Sequence, residues 1–175
     1  MNGKEKIIIK DYDPRWQLLF ETEKAEIMEA IGHYVADIQH IGSTAVPGLA
    51  AKPVIDILIG LRRLLDAQDC IMPIEAMDYE YVPEFEDEFP ERRYFRKISQ
   101  GKRTHHLHMV EIGSDFWKRH LLFRNYLLEN HEIANEYALL KRKLAVEFTD
   151  DRDRYTNAKT AFIIEVLKKQ ENESR

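Results

Sequence analysis

The stretch His40-Ile41-Gly42-Ser43-Thr44-Ala45-Val46-Pro47-Gly48-Leu49-Ala50-Ala51-Lys52-Pro53-Val54-Ile55-Asp56-Ile57-Leu58-Ile59 decides how this chain is read. Two β-rich runs, Val35 to Ile41 and Pro53 to Leu61, flank a connection of small residues from Gly42 to Lys52. The first strand ends in Gly-Ser, and the second carries an acid within an apolar run. Gly42 has no Cβ, so a phosphate can approach its backbone closely. Ser43 offers a hydroxyl and an N–H to the same oxygens, at what reads as a helix N-terminus. Asp56 is costly to bury unless a cation or hydrogen-bond donors meet it. Magnesium, held by one or two carboxylates plus substrate phosphates, would remove that cost.

Working outward, Ile7-Ile8-Ile9 is a strand candidate, and Asp13-Pro14 reads as a helix start. Trp16, Phe20, Ile27 and Ile31 share one helical face, with Gly32 as the stop. A helix is expected over Leu64 to Met77 despite Pro73. Strands follow at Tyr79–Val82, Arg93–Ile98 and His105–Ile112, with a turn at Ser99-Gln100-Gly101. The acidic patch Glu84, Glu86, Asp87, Glu88 and Glu91 reads as a solvated loop, since its spacing matches no calcium-binding loop. Ile133, Tyr137, Leu140, Leu144 and Phe148 recur at helical spacing, as do Tyr155, Ala158, Phe162 and Val166. The order is helix, strands, helix, strands and two closing helices, an α+β arrangement with a helix-covered sheet.

Composition narrows the function. The 175 residues suit a single domain, 1–175, with the tail after about Lys168 frayed. Lys and Arg number 26 against 31 Asp and Glu, a net charge of −5 that argues against dedicated DNA binding but permits a local basic pocket. Cys70 stands alone, so no intramolecular disulfide or Cys-rich zinc site forms, and a reducing cytoplasm is the expected setting. Met1 to Lys6 leads into only three isoleucines, with no signal-peptide apolar region, and no apolar run spans a bilayer. There is no P-loop, no second histidine completing a zincin motif after His131-Glu132, and no nucleophile elbow. Trp117, Phe123 and Tyr126 read as core rather than a base-stacking platform.

The stretch that opens this reading, together with Tyr12-Asp13-Pro14-Arg15-Trp16, Arg93-Tyr94-Phe95-Arg96-Lys97, His105-His106-Leu107-His108, Phe123-Arg124-Asn125-Tyr126 and Tyr155-Thr156-Asn157-Ala158-Lys159, resembles the GrpB family of small bacterial proteins from about Ile7 to Leu167. The resemblance implies a polymerase-beta-like nucleotidyltransferase fold: a mixed β-sheet covered by helices, with a C-terminal helical segment. In that superfamily two carboxylates two residues apart on one strand hold the metal ions. Asp56 occupies the first position here, but Leu58 occupies the second and cannot ligate a cation.

The resemblance also suggests that the His-Leu-His strand lies beside Asp56. By alternation His106 and His108 point one way and His105 the other. Asp56, His106 and His108 are then candidate catalytic residues and ligands of one divalent cation, magnesium or manganese, with zinc or iron as other choices. Alternatively, the histidines line a polar pocket that contacts substrate, or act as general base. His40 either orients Ser43 or a phosphate, or is a satisfied strand-end imidazole. Lys52, Arg93, Lys97, Arg124 and Lys141 join Gly42 and Ser43 as candidate phosphate or substrate contacts, as do Tyr155 and Lys159; any of these charges also fits a solvated face. Tyr137 and Lys141, like Tyr155 and Lys159, are four apart and so neighbours on a helix. The activity expected is transfer of a nucleoside monophosphate from a nucleoside triphosphate to an unidentified acceptor. A nucleotide- or metabolite-binding module without turnover and a metal-dependent phosphoester hydrolase are the alternatives. No membrane partner is expected.

Overall fold

The structure, a computed structural model, describes residues 6–173. Most of the N-terminal stretch read above for a signal peptide, and the last two residues of the tail, lie outside them. The chain runs α1 (Arg15–Ile31), β1 (Val35–Ile41), β2 (Ile55–Leu61), α2 (Ala67–Glu75), β3 (Tyr79–Tyr81), β4 (Arg92–Ser99), β5 (Lys102–Glu111), α3 (Asp115–Glu129), α4 (His131–Glu147) and α5 (Arg152–Glu173). No helix among these residues is long and apolar enough to cross a membrane.

Local chemistry sets most of these boundaries. Asp13 Oδ1 accepts the Arg15 N–H at 2.9 Å, satisfying one of the orphan donors at the start of α1. Trp16, Phe20, Ile27 and Ile31 are all buried along its inner face. Gln100 and Gly101 both have positive φ, the pattern of a tight two-residue hairpin turn, and join β4 to β5. Three expectations need correction. The closing part holds three helices, because Ser114 caps α3 by accepting the Trp117 N–H and Asn130 leaves helical geometry before α4. Helix α5 continues to Glu173, past the point where fraying was expected. Ile7 to Ile9 form no strand: the Ile7 N–H bonds the Thr149 carbonyl instead of a ladder, and the segment makes only a bridge between Lys10 and Ala51.

The five strands form one mixed sheet in the order β1-β2-β5-β4-β3. β2 and β5 run parallel, and the other pairs are antiparallel. Helices cover both faces, so β2 is apolar almost throughout. On one face Ile38, Ile55, Ile57, Ile59, Phe95, Leu107 and Met109 pack against α1 and α2. On the other, Ile41, Leu58 and Val110 meet Phe116 and Trp117 of α3. The connection after β1 packs through Val46 and Leu49 onto Leu127, Ala134 and Tyr137, which ties α3 and α4 over one end of the sheet.

A bulge in the hairpin decides which side chains share a face. Ser99 pairs with Lys102 and Ile98 with Arg103, but Lys97 pairs with His105, so Thr104 is an extra residue. A one-residue shift moves every later side chain to the opposite face. Arg93 and Lys97 therefore lie with the α1 core, and Lys97 Nζ meets the buried Glu23 carboxylate at 2.7 Å. Lys97→Met would leave Glu23 buried without its cation, and a loss of about 3–5 kcal/mol is expected in denaturant unfolding. The double variant Glu23→Leu/Lys97→Met should recover most of that loss.

Candidate functional site

The parallel register of β2 and β5 places Asp56 directly beside His106. His106 Nδ1 lies 3.0 Å from Asp56 Oδ1, and the carboxylate is 28% exposed. With Nδ1–H donated to Asp56, the Nε2 lone pair of His106 remains, and this atom has no protein hydrogen-bond partner. Burial pushes the Asp56 carboxyl up, but the His106 hydrogen bond and the groups around it, Lys52 among them, outweigh it and hold the pKa at about 2. His108 shares the face but pairs with Leu58 rather than Asp56. Burial holds it well below its ordinary pKa, so it is neutral, and its ring stacks on Tyr94 at 5.2 Å.

Ile41 pairs with Asp56, which brings the Gly-Ser turn over the carboxylate. Gly42 has φ +71°, and a Cβ there would lie 2.5 Å from Asp56 Oδ2. Both the backbone conformation and the close approach require glycine, and the group occupying that space is the chain's own acid. Ser43 opens a one-turn 3-10 helix close to the hydroxyl of the buried Tyr137.

Three lysines complete the site. Lys52 lies 5.1 Å and Lys159 4.4 Å from the centre of the Tyr155 ring, and Lys141 lies 4.7 Å from that of Tyr137. Lys141 is 2% exposed, and its ammonium also donates to the Ala50 carbonyl. Burial lowers Lys52 and Lys141 to about 7, helped for each by repulsion from Lys159. Burial likewise lowers Lys159 to about 8, with Asp56 opposing. Asp56 is the acid that acts on all three. Arg152 and Arg103 add further positive charge around Lys52.

The structure thus brings together Asp56, His106, His108, Gly42, Ser43, Lys52, Lys141, Tyr155 and Lys159. It leaves out four residues. His40 is on the opposite face, stacked on Phe20 with Nε2 2.9 Å from Thr44 Oγ1; burial lowers it to about 4, and it is a satisfied strand-end imidazole. Arg124 spends its guanidinium on Gln39, the His40 carbonyl and Asn125, fastening α3 to β1. Arg93 bonds the Pro90 carbonyl and lies 3.4 Å from Glu86, while Lys97 is held by Glu23. The bulge at Thr104 is the physical reason for the last two. Tyr94, Arg103, Tyr137 and Arg152 were missed; Tyr137 alone carried a signal, its four-residue spacing from Lys141.

The site does not fit a resident divalent cation. No three His, Cys, Asp or Glu side chains among the described residues are grouped to hold one. Asp56 is the acid of the cluster and already bonds His106, while the lysines supply the positive charge a metal would bring. The arrangement instead suits an anion. The lysines titrate near 7 to 8 when folded and near 10.5 when unfolded. The unfolded chain therefore binds more protons in between, and stability rises with pH across that window. The melting temperature in phosphate-free buffer should rise from about pH 7 to about pH 8.5, and Lys141→Met should flatten the rise. Inorganic phosphate should stabilise more strongly at the lower pH, where the ammonium groups are charged.

The sequence matches the family profile described as GrpB protein over residues 6–169. It is 35% identical to Glutamate-rich protein GrpB of Alkalihalophilus pseudofirmus, covering 94% of this chain and 96% of that one. It is 40% identical to UPF0157 protein YqkA of Bacillus subtilis, over 91% of this chain but 46% of that protein's length. The crystal structure of the conserved protein GrpB from Enterococcus faecalis superposes with a TM-score of 0.86 at 38% identity, covering 95% of this chain and 99% of that one. The agreement extends from α1 through α5 and includes every strand that carries the site: the chain belongs to the GrpB family.

Proposed function

We propose that this chain is a nucleotidyltransferase that seats a nucleoside triphosphate by its phosphates among Lys52, Lys141 and Lys159 and passes the nucleoside monophosphate to an acceptor. The observation that carries the reading is the convergence of those lysines and the Gly42–Ser43 turn on the Asp56–His106 pair. In this scheme His106 Nε2 takes the proton of the acceptor hydroxyl, with Asp56 holding the tautomer that leaves that lone pair free. The acceptor oxygen forms its bond to the α-phosphorus as the bond to pyrophosphate breaks. The ammonium groups stabilise the charge that develops on the transferring and leaving oxygens. The free, buried thiol of Cys70 suits a reducing cytoplasm as the working compartment.

Leu58 favours a second reading, a nucleotide- or metabolite-binding module without turnover. Its side chain is fully buried against Ile41, Val110, Phe116 and Trp117, so the place of a second carboxylate is closed by apolar packing. Incubation with labelled nucleoside triphosphates and candidate acceptors, in excess chelator and in excess magnesium, separates the readings. Pyrophosphate release with a labelled acceptor is expected. Thermal stabilisation without turnover would establish the binding module, and orthophosphate release would point to a phosphoester hydrolase. Asp56→Asn and His106→Gln should each lower turnover by about 10²–10⁴-fold, and His106→Gln, which keeps the Asp56 charge beside the lysines, should still bind phosphate. Full turnover by Asp56→Asn would overturn the assignment.

A further inference from the structure

We propose that the lysine cluster stands in for a divalent cation, so that the site takes its polyphosphate ligand in the metal-free form. This rests on the phosphate-seat reading above and specifies the ionic form of the ligand. The first ground is the donor set. Asp56 is the acid acting on all three lysines; its Oδ1 is engaged by His106 and its Oδ2 lies against Gly42. The neighbouring position on the same strand face is Leu58, 0% exposed, so no second carboxylate joins it. A cation entering here would meet one carboxylate, already bonded to His106 through Oδ1, and the single lone pair of His106 Nε2, against several ammonium and guanidinium groups.

The second ground is how the lysines are held without a ligand. Two ammonium groups share the Tyr155 ring, at 5.1 and 4.4 Å, and the third faces Tyr137 and the Ala50 carbonyl. Ring faces and a carbonyl dipole compensate a charge only weakly next to an anion. With all three lysines protonated, Asp56 is the acid that opposes three ammonium groups, and a polyphosphate carrying its full charge supplies the missing negative charge and draws the lysines into their charged form. Magnesium on the same polyphosphate masks two of those charges and competes with the lysines for the same oxygens. The helix pairs Tyr137–Lys141 and Tyr155–Lys159 and the loop residue Lys52 deliver these cations from three separate segments, which makes the seat a product of the tertiary fold.

Isothermal titration with inorganic tripolyphosphate and with ATP, in excess chelator and then in excess magnesium, tests this. Both ligands should bind in chelator, and saturation with magnesium should weaken each by at least about tenfold. Lys159→Met and Lys141→Met, each confirmed as folded by thermal melting, should lose at least about tenfold in chelator. Binding that requires or is tightened by magnesium overturns the proposal, as does failure of both ligands to bind under either condition. If ATP binds only as its magnesium complex, the metal-free inference fails while the nucleotide reading stands. If tripolyphosphate binds in chelator and ATP does not, the inference stands and the nucleotide reading fails.

Discussion

The contact between Asp56 and His106 governs the polar face of this fold. It joins two parallel strands at the point where the Gly-Ser turn crosses them, and it gives a carboxylate a hydrogen-bond donor where burial alone would drive it to protonate. An ionised Asp56 is in turn what allows three lysines to be gathered at half-buried to buried positions. Without it, their mutual repulsion and desolvation would have no opposing acid. Strand register, turn and lysine seat are thus one electrostatic unit.

The two faces of the sheet divide their labour. The α1–α2 side is an apolar core whose buried ion pair, Glu23 with Lys97, is internally matched. On the α3–α5 side apolar packing stops at Leu58 and Val110, and toward the Gly-Ser turn, at His108, His106 and Asp56, polar and cationic groups take over. A matched pair is complete within the chain, whereas an excess of one sign calls for something from outside. That contrast distinguishes a structural cluster from a receptive one here, although both contain a carboxylate, a histidine and a lysine.

Much of this was legible in the order of residues. The apolar spacing of α1, the β-rich runs of β1 and β2 and the turn at Gln100-Gly101 announce their elements, because each is a local consequence of periodicity or of residues that tolerate positive φ. The pairing of tyrosine and lysine four residues apart, twice, pointed to Lys141 and Lys159. The separation of α3 from α4 was less visible, since Asn130 departs from helical geometry without a proline or glycine to mark it.

The chain alone determined that a glycine, a serine and an aspartate would end up at adjoining strand ends, and that His106 and His108 would share a face. Only the folded structure decided which cations accompany them. The bulge at Thr104 removed Arg93 and Lys97 from that face, Arg124 was spent on fastening α3, and Lys52 joined from the loop before β2. The reason is physical. Side-chain alternation is a short-range property that survives translation into structure, whereas a one-residue slip in strand register, or the docking of a helix over a sheet end, depends on contacts between segments far apart in the chain.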